Sequence, residues 1–410
     1  MRILAIMPAN DSVRFEKGSL FKGNGFFRIP NVEVAKLYAI GSQLIYMDER
    51  VEEVDFEREA DGVLIYTEFG TEIRLREIAL SFRRRRKPVI FFGPLASLLP
   101  ERVKEWADSV VIGDITLVWE EVEKDIEEHR LKPYYHAPRE PRYIAPRMER
   151  VGKKGLYKNF QPITAIIGCF CNEDLRKFCP YWLYYRRSIR RRDIKRVIEE
   201  VDRLPLRRTF LMDDDIASYP EYYLNLFKKL SYHNKEWVVQ ASKRIFSYPK
   251  LIKALNKGGV RVVYIKEGWL EDLGRDNLYK RQKEVQLLHS NRLLVGARIR
   301  IDRPLDFLKF YDCLYRLRVD FVEIKTLKLF EDETHRSSVA EIITLPEKFL
   351  VEDLSTGILW VKNKFYSLSS ILIRGAEILP QVGLYNTIFY FFKYNFSYRQ
   401  NFLEDIPYPP

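Results

Sequence analysis

Long apolar runs are missing from this chain of 410 residues. No stretch approaches the ~20 consecutive apolar residues that a bilayer-spanning helix needs. The opening Met1-Arg2-Ile3-Leu4-Ala5-Ile6-Met7-Pro8 is too short for a secretory signal and lacks a cleavage region. Cysteine is scarce as well, with four in the whole sequence. That is no disulfide framework, and a reducing compartment is the simpler setting. Both shortages point to a cytoplasmic protein without a transmembrane segment. The five histidines, His129, His136, His233, His289 and His335, show no metal-ligand spacing. No G-x-G-x-x-G occurs, which disfavours a nicotinamide cofactor.

Charge, by contrast, is plentiful. Lys and Arg number 69 against 57 Asp and Glu, a net charge of +12. Such a balance suits nucleic acid, an anionic membrane surface or an acidic substrate. With both signs abundant, a charge-rich surface of the thermophile kind ranks ahead of a nucleic-acid partner. The length and a hydrophobic fraction of 46% allow two or three domains with sizeable cores.

Three of the four cysteines, Cys169, Cys171 and Cys179, crowd into eleven residues. Thiolates are soft ligands, and such a cluster suits zinc or an iron–sulfur centre. A reversible disulfide and three unconnected core thiols are the alternatives at this point. Cys313, at helical spacing within Phe307 to Leu317, reads as a core thiol.

Taken in order, residues 1–130 alternate short apolar strands with amphipathic helices. The strands are Arg2 to Met7, Ser42 to Met47, Gly62 to Tyr66, Pro88 to Phe92 and Ser109 to Ile112, with helices at Glu72 to Arg86 and Thr116 to His129. That alternation indicates a doubly wound α/β sheet, with ligands beyond the carboxyl ends of its strands. Thr67, Gly93 and Gly113 fall there. Arg83 to Lys87 reads as cations favouring a helix C-terminus. Residues 131–161, rich in proline, tyrosine and arginine, read as a linker. A second alternating series occupies 162–335. Its strands are Thr164 to Ile167, Thr209 to Met212, Trp237 to Ser242 and Val260 to Ile265, and two further units lie around Leu293 to Ile301 and Phe321 to Lys328. Six such units suggest a partial or complete β/α barrel, whose site lies just past the strand C-termini. Asp213, Asp214, Asp215, Gln240, Ser242 and Glu267 sit at those positions. Three adjacent carboxylates repel and need a partner, unless the turn is simply solvated. Arg186, Arg187 and Arg190 to Arg192 either hold a substrate phosphate or carboxylate or form a plain helix-start surface. Residues 336–410 are strongly aromatic and helical; Ile388 to Tyr394 docks on the barrel, covers a hydrophobic substrate or faces a membrane.

The order of these features resembles the cobalamin-binding subfamily of radical SAM enzymes, the group of the anaerobic oxidative cyclases and hopanoid methylases. The likeness rests on Met47-Asp48-Glu49-Arg50, Ala60-Asp61-Gly62-Val63, Phe91-Phe92-Gly93-Pro94, Leu98-Leu99-Pro100-Glu101 and Ala107 to Asp114 in the first half. In the second it rests on Gly168-Cys169, Phe178-Cys179, Arg190 to Glu200, Phe210 to Asp215, Trp237 to Ser242 and Phe365-Tyr366-Ser367. The resemblance implies a cobalamin-binding-like domain at 1–130, a radical SAM barrel at 162–335 and an α-rich region at 336–410. It implies a [4Fe–4S] cluster on Cys169, Cys171 and Cys179, and S-adenosylmethionine beside Asp213 to Asp215 and Glu267. A corrinoid would lie over the barrel mouth. The implied activity is radical C-methylation, or a related rearrangement or cyclisation, at an unactivated carbon through a 5′-deoxyadenosyl radical. The partners would be a hydrophobic or anionic small molecule and an external electron donor. The spacing here is C-x-C-x7-C in place of C-x3-C-x2-C, and no D-x-H-x-x-G is present. A catalytically silent relative that binds a ligand or a partner subunit is the runner-up.

Overall fold

In the computed structural model the apolar runs of the first third of the chain become one parallel sheet. The structure describes residues 1–9, 14, 29–40, 43–138, 143–151, 159–168, 189–266, 268–270, 275–301, 306–326 and 351–400. The first strands are β1 (Ile3–Met7), β2 (Leu44–Asp48), β3 (Gly62–Tyr66), β4 (Val89–Phe92), β5 (Ser109–Ile112) and β6 (Tyr134–His136). Their order, β2-β1-β3-β4-β5-β6, reverses direction between β1 and β3. This is the doubly wound pattern that places ligands at the switch point. Alternate residues serve opposite faces. Leu4, Ile6, Val63, Ile65, Val89 and Phe91 pack with Leu75, Ile78 and Phe82 of the helix Glu72–Arg84. Ile3, Ala5, Leu64, Tyr66, Ile90 and Phe92 join an apolar cluster that continues into the second half of the chain. The sheet takes in Tyr134–His136, inside the stretch expected to be linker: Val110, Val111 and Ile112 pair with Tyr134, Tyr135 and His136.

The second half begins with β7 (Gln161–Ile163), followed by β8 (Ile166–Ile167) and β9 (Arg190–Arg191), which pair only with each other. Then come β10 (Arg208–Leu211), β11 (Glu236–Ala241), β12 (Val260–Ile265), β13 (Leu294–Ile301) and β14 (Phe321–Thr326). They form a second parallel sheet of six strands, ordered β7-β10-β11-β12-β13-β14. Each strand lies beside the next in sequence, as successive right-handed βα units require. Among the described residues β7 and β14 do not pair.

One face of this sheet is filled by the end of the chain. Along Thr387–Phe392 and Lys393–Gln400, Tyr390, Tyr394 and Tyr398 recur every fourth residue, which puts them on one stripe. Tyr390 donates to Glu236 at 2.5 Å, the Tyr394 ring lies 5.1 Å from Phe321 and 6.0 Å from Phe160, and Tyr398 shares a 2.9 Å hydrogen bond with Tyr264. Of the stretch expected as one apolar helix face, Tyr390, Phe391 and Tyr394 are buried while Ile388 and Phe389 face out. Arg374 of the helix Leu368–Val382 ties these helices to the sheet. Its guanidinium donates to the carbonyls of Asp320 (2.8 Å) and Phe365 (2.9 Å) and to Asn395 Oδ1 (2.9 Å). Cys313 is half-buried on the helix Phe307–Leu317 rather than a core thiol, because Leu314 and Leu317 take the inward positions.

Candidate functional site

The cysteine loop itself, Cys169, Cys171 and Cys179 included, lies outside the described residues, as does Glu267. Its two ends are described. Ile166 pairs with Arg191 and Ile167 with Arg190, antiparallel. The two ends of the cysteine-bearing segment therefore lie side by side at the C-terminal edge of the second sheet.

Asp213 sets that point. It lies two residues past the end of β10 and is buried. Its carboxylate accepts from the backbone N–H of Ala165 (2.9 Å) and of Ile166 (3.0 Å) and from the Tyr223 hydroxyl (2.7 Å). Burial pushes this carboxyl up to about 7; the Ile166 N–H, the Tyr223 hydroxyl, the Ala165 N–H and the nearby Arg192 pull the other way. The bonds also explain why no single strand runs over 164–167. Two N–H groups that would continue the ladder of β7 turn to the Asp213 side chain, and the chain leaves the sheet at Thr164.

The neighbouring aspartates do different work. Asp215 accepts from Ala217 N (2.8 Å), the Ser218 hydroxyl (2.8 Å) and Ser242 N (2.8 Å), so it caps the turn after β10 and ties it to the end of β11. Asp214 points elsewhere: its carboxylate pairs with the Lys266 ammonium, and Gln240 Nε2 donates to its backbone carbonyl at 2.5 Å. Asp214, Gln240, Ser242 and Lys266 thus meet at one edge, on the ends of three adjacent strands. The carbonyl oxygen of Gln240 and the hydroxyl of Ser242 are buried, and among the described residues neither has a hydrogen-bond partner. Gln240 is only 8% exposed. Buried polar atoms are nearly always satisfied, so two orphans at a strand edge suit a ligand with N–H or O–H donors.

Three charged residues here went unremarked in the sequence. Lys266 follows β12 directly. Arg298 and Glu323 lie opposite each other on β13 and β14, both buried, with Nε–Oε2 at 3.0 Å. Their signal was present: a charge at every second place of otherwise apolar strands marks an inward polar tier. The register places this tier one step above Tyr264 and Gly296, over the tyrosine-filled part of the sheet. Arg192, from the basic run after the cysteines, is not free for a substrate anion. It pairs with Glu200, donates to the Thr164 carbonyl and stacks 3.6 Å from the Tyr143 ring centre.

In the first sheet Thr67, Gly93 and Gly113 come together in one hydrogen-bonded knot. The Thr67 hydroxyl donates to Phe92 O (2.9 Å) and accepts from Ala96 N (2.9 Å). Ser97 Oγ donates to Gly93 O (2.8 Å) and accepts from Gly113 N (2.9 Å). Gly93 is required here by the fold: its φ is 113°, and a Cβ would stand 2.8 Å from the Thr67 carbonyl. At the other side of the switch point Asp48 is gripped by Arg50 (2.6 Å) and Glu49 by Arg74 (2.6 Å), with Glu49 also accepting from Ala9 N (3.1 Å). This edge is internally paired.

No known family model matches the chain. It is similar to the bacteriochlorophyllide d C-12(1)-methyltransferase of Chlorobaculum tepidum, 24% identical over 269 residues, which are 60% of this chain. The match spans 58% of that methyltransferase's length.

Proposed function

We propose that the protein is a radical SAM enzyme of the cobalamin-binding kind, acting by radical C-methylation, or a related rearrangement or cyclisation, at an unactivated carbon. One observation carries the reading. The paired strands that flank the three-cysteine segment lie at the same sheet edge at which Gln240 Oε1 and Ser242 Oγ, among the described residues, lack a partner beside Asp214 and Lys266. The similarity to a methyltransferase supports it from outside.

In this reading Cys169, Cys171 and Cys179 hold a [4Fe–4S] cluster. S-Adenosylmethionine fits beside them, its amino and hydroxyl donors matching the orphan acceptors of Gln240 and Ser242. When bound, the cluster and S-adenosylmethionine supply hydrogen-atom abstraction, and a corrinoid on residues 1–130 supplies methyl donation. The chain's own part is placement. Asp213 holds Ala165 and Ile166 ahead of the cysteine-bearing segment, Asp215 locks the turn beside it, and the tyrosine tier below keeps water from the inner face. The substrate belongs to the hydrophobic or anionic small molecules, a class that includes the bacteriochlorophyllide named for the relative. Residues 137–160 connect the two working parts, and an external donor provides the electron.

Anaerobic iron and sulfide analysis with EPR of the reduced protein tests this, wild type beside Cys171→Ala. Four irons and a signal that S-adenosylmethionine alters are expected, both lost in the variant. Gln240→Leu should keep the iron and weaken S-adenosylmethionine binding by about tenfold or more, ~1.4 kcal/mol per decade. No cluster after reconstitution would leave the silent, ligand-binding relative as the better account.

A further inference from the structure

Fourteen large hydrophobic side chains are exposed among the described residues, and ten of them fall between Leu359 and Phe396. Leu384 is 64% exposed, Leu372 57%, Ile388 46% and Phe389 45%. They belong to one surface because two helices meet closely. A Cβ on Gly375 would stand 2.5 Å from Phe392 Cζ. Leu372 and Leu379 flank Gly375 at helical spacing, and Phe389 and Phe396 flank Phe392 in the same way.

This apolar face has a cationic rim, supplied by the segments that enter the strands of the second sheet. The guanidinium groups of Arg207 and Arg261 lie 5.9 and 5.7 Å from the Tyr385 ring centre. Asn386 Nδ2 donates to the Arg292 carbonyl at 2.9 Å, and Arg318 reaches Glu377 at 4.0 Å. Tyr232, 90% exposed, stands in the loop entering β11. Between Thr356 and Gln400 the basic residues apart from the buried Arg374 are Lys362, Lys364, Lys393 and Arg399, against one acid, Glu377. Glu236, the other carboxylate here, is buried and shared by both Arg207 and Arg261 and by Tyr385 and Tyr390, so one carboxylate faces two arginines.

We propose that this face seats the protein on an anionic lipid surface, its apolar stripe in the headgroup–acyl boundary and its arginines among the headgroups. Apolar centre, basic rim and interfacial tyrosine are what such a surface binds. No helix among the described residues is long and apolar enough to cross a membrane, so the contact is one of lying on the bilayer. A second copy of the chain fits less well, since a two-fold interface would set the cationic rim against itself. The proposal is independent of the chemistry at the opposite edge of the sheet.

The full chain should sediment with vesicles of phosphatidylcholine and phosphatidylglycerol, about tenfold more than with phosphatidylcholine alone, and less as salt rises. Ile388→Glu with Phe389→Glu should abolish most of that binding and leave the thermal midpoint in place, because both side chains are nearly half exposed. Binding to neither vesicle, equal binding to both, or binding that the double variant retains would overturn the proposal. So would a dimer in light scattering that the double variant dissociates, which would assign the face to a second copy.

Discussion

Arg374→Met should lower the stability of the protein by about 3–5 kcal/mol, the range for breaking a buried charged network from one side. Arg374 is 5% exposed and its guanidinium serves Asp320 O, Phe365 O and Asn395 Oδ1, while its Cζ lies 3.9 Å from the Phe365 ring centre. Burial pulls it down to about 10, so it remains charged at neutral pH. Methionine fills much of the space and leaves three acceptors without donors. Those acceptors belong to the start of β14 and to two helices, so the loss falls on the docking of the C-terminal region. Urea unfolding gives the number. Arg374→Lys keeps the charge but not the fork, and should recover less than half of the loss. A change below about 1 kcal/mol for methionine would mean that the helices hold to the sheet by apolar contact alone.

Asp213→Ala is expected to cost about 3 kcal/mol or more, because the N–H groups of Ala165 and Ile166 and the Tyr223 hydroxyl lose one shared acceptor. A pH dependence accompanies it. An aspartate's ordinary value is about 3.9, and burial holds this one near 7 in the folded chain. Between those two values the folded state binds the proton that the unfolded state has released. Stability from this site is therefore full below about 4 and declines as the pH rises through about 7. Urea midpoints at pH 5.5 and 8 should show the decline in the wild type and a flatter response in Asp213→Asn. A wild-type midpoint that climbs over that interval would show the carboxylate, not the acid, to be the favoured form.

Much of the strand content was legible because apolar runs bounded by glycine and proline leave few choices. Gly62–Tyr66 and Val260–Ile265 lie where the runs place them. The order of strands was not, since nothing local tells β1 to lie between β2 and β3. Tyr134–His136 was hidden by its prolines, which an edge strand tolerates beside its ladder. The helix expected from Thr116 instead opens with a tight turn, Ile115–Leu117, because Asp114 accepts from Thr116 N at 3.0 Å before Trp119–Glu127 begins. At the site, the sequence could place Asp213, Asp214 and Asp215 together but not divide their labour. Identical side chains differ there only in the partners that distant segments bring: Ala165 and Ile166 to the first, Lys266 to the second, Ser242 to the third.

Tyr390, Tyr394 and Tyr398 cover a face whose strands are all made earlier, from Gln161 to Thr326. A chain growing from its N-terminus therefore presents Phe160, Tyr264 and Phe321 to its surroundings before their cover exists. The first sheet completes its own strand pairing by His136, while one of its faces packs into the cluster shared with the second half. Synthesis thus leaves the second sheet open to solvent and to chaperones until the helices that carry these tyrosines emerge.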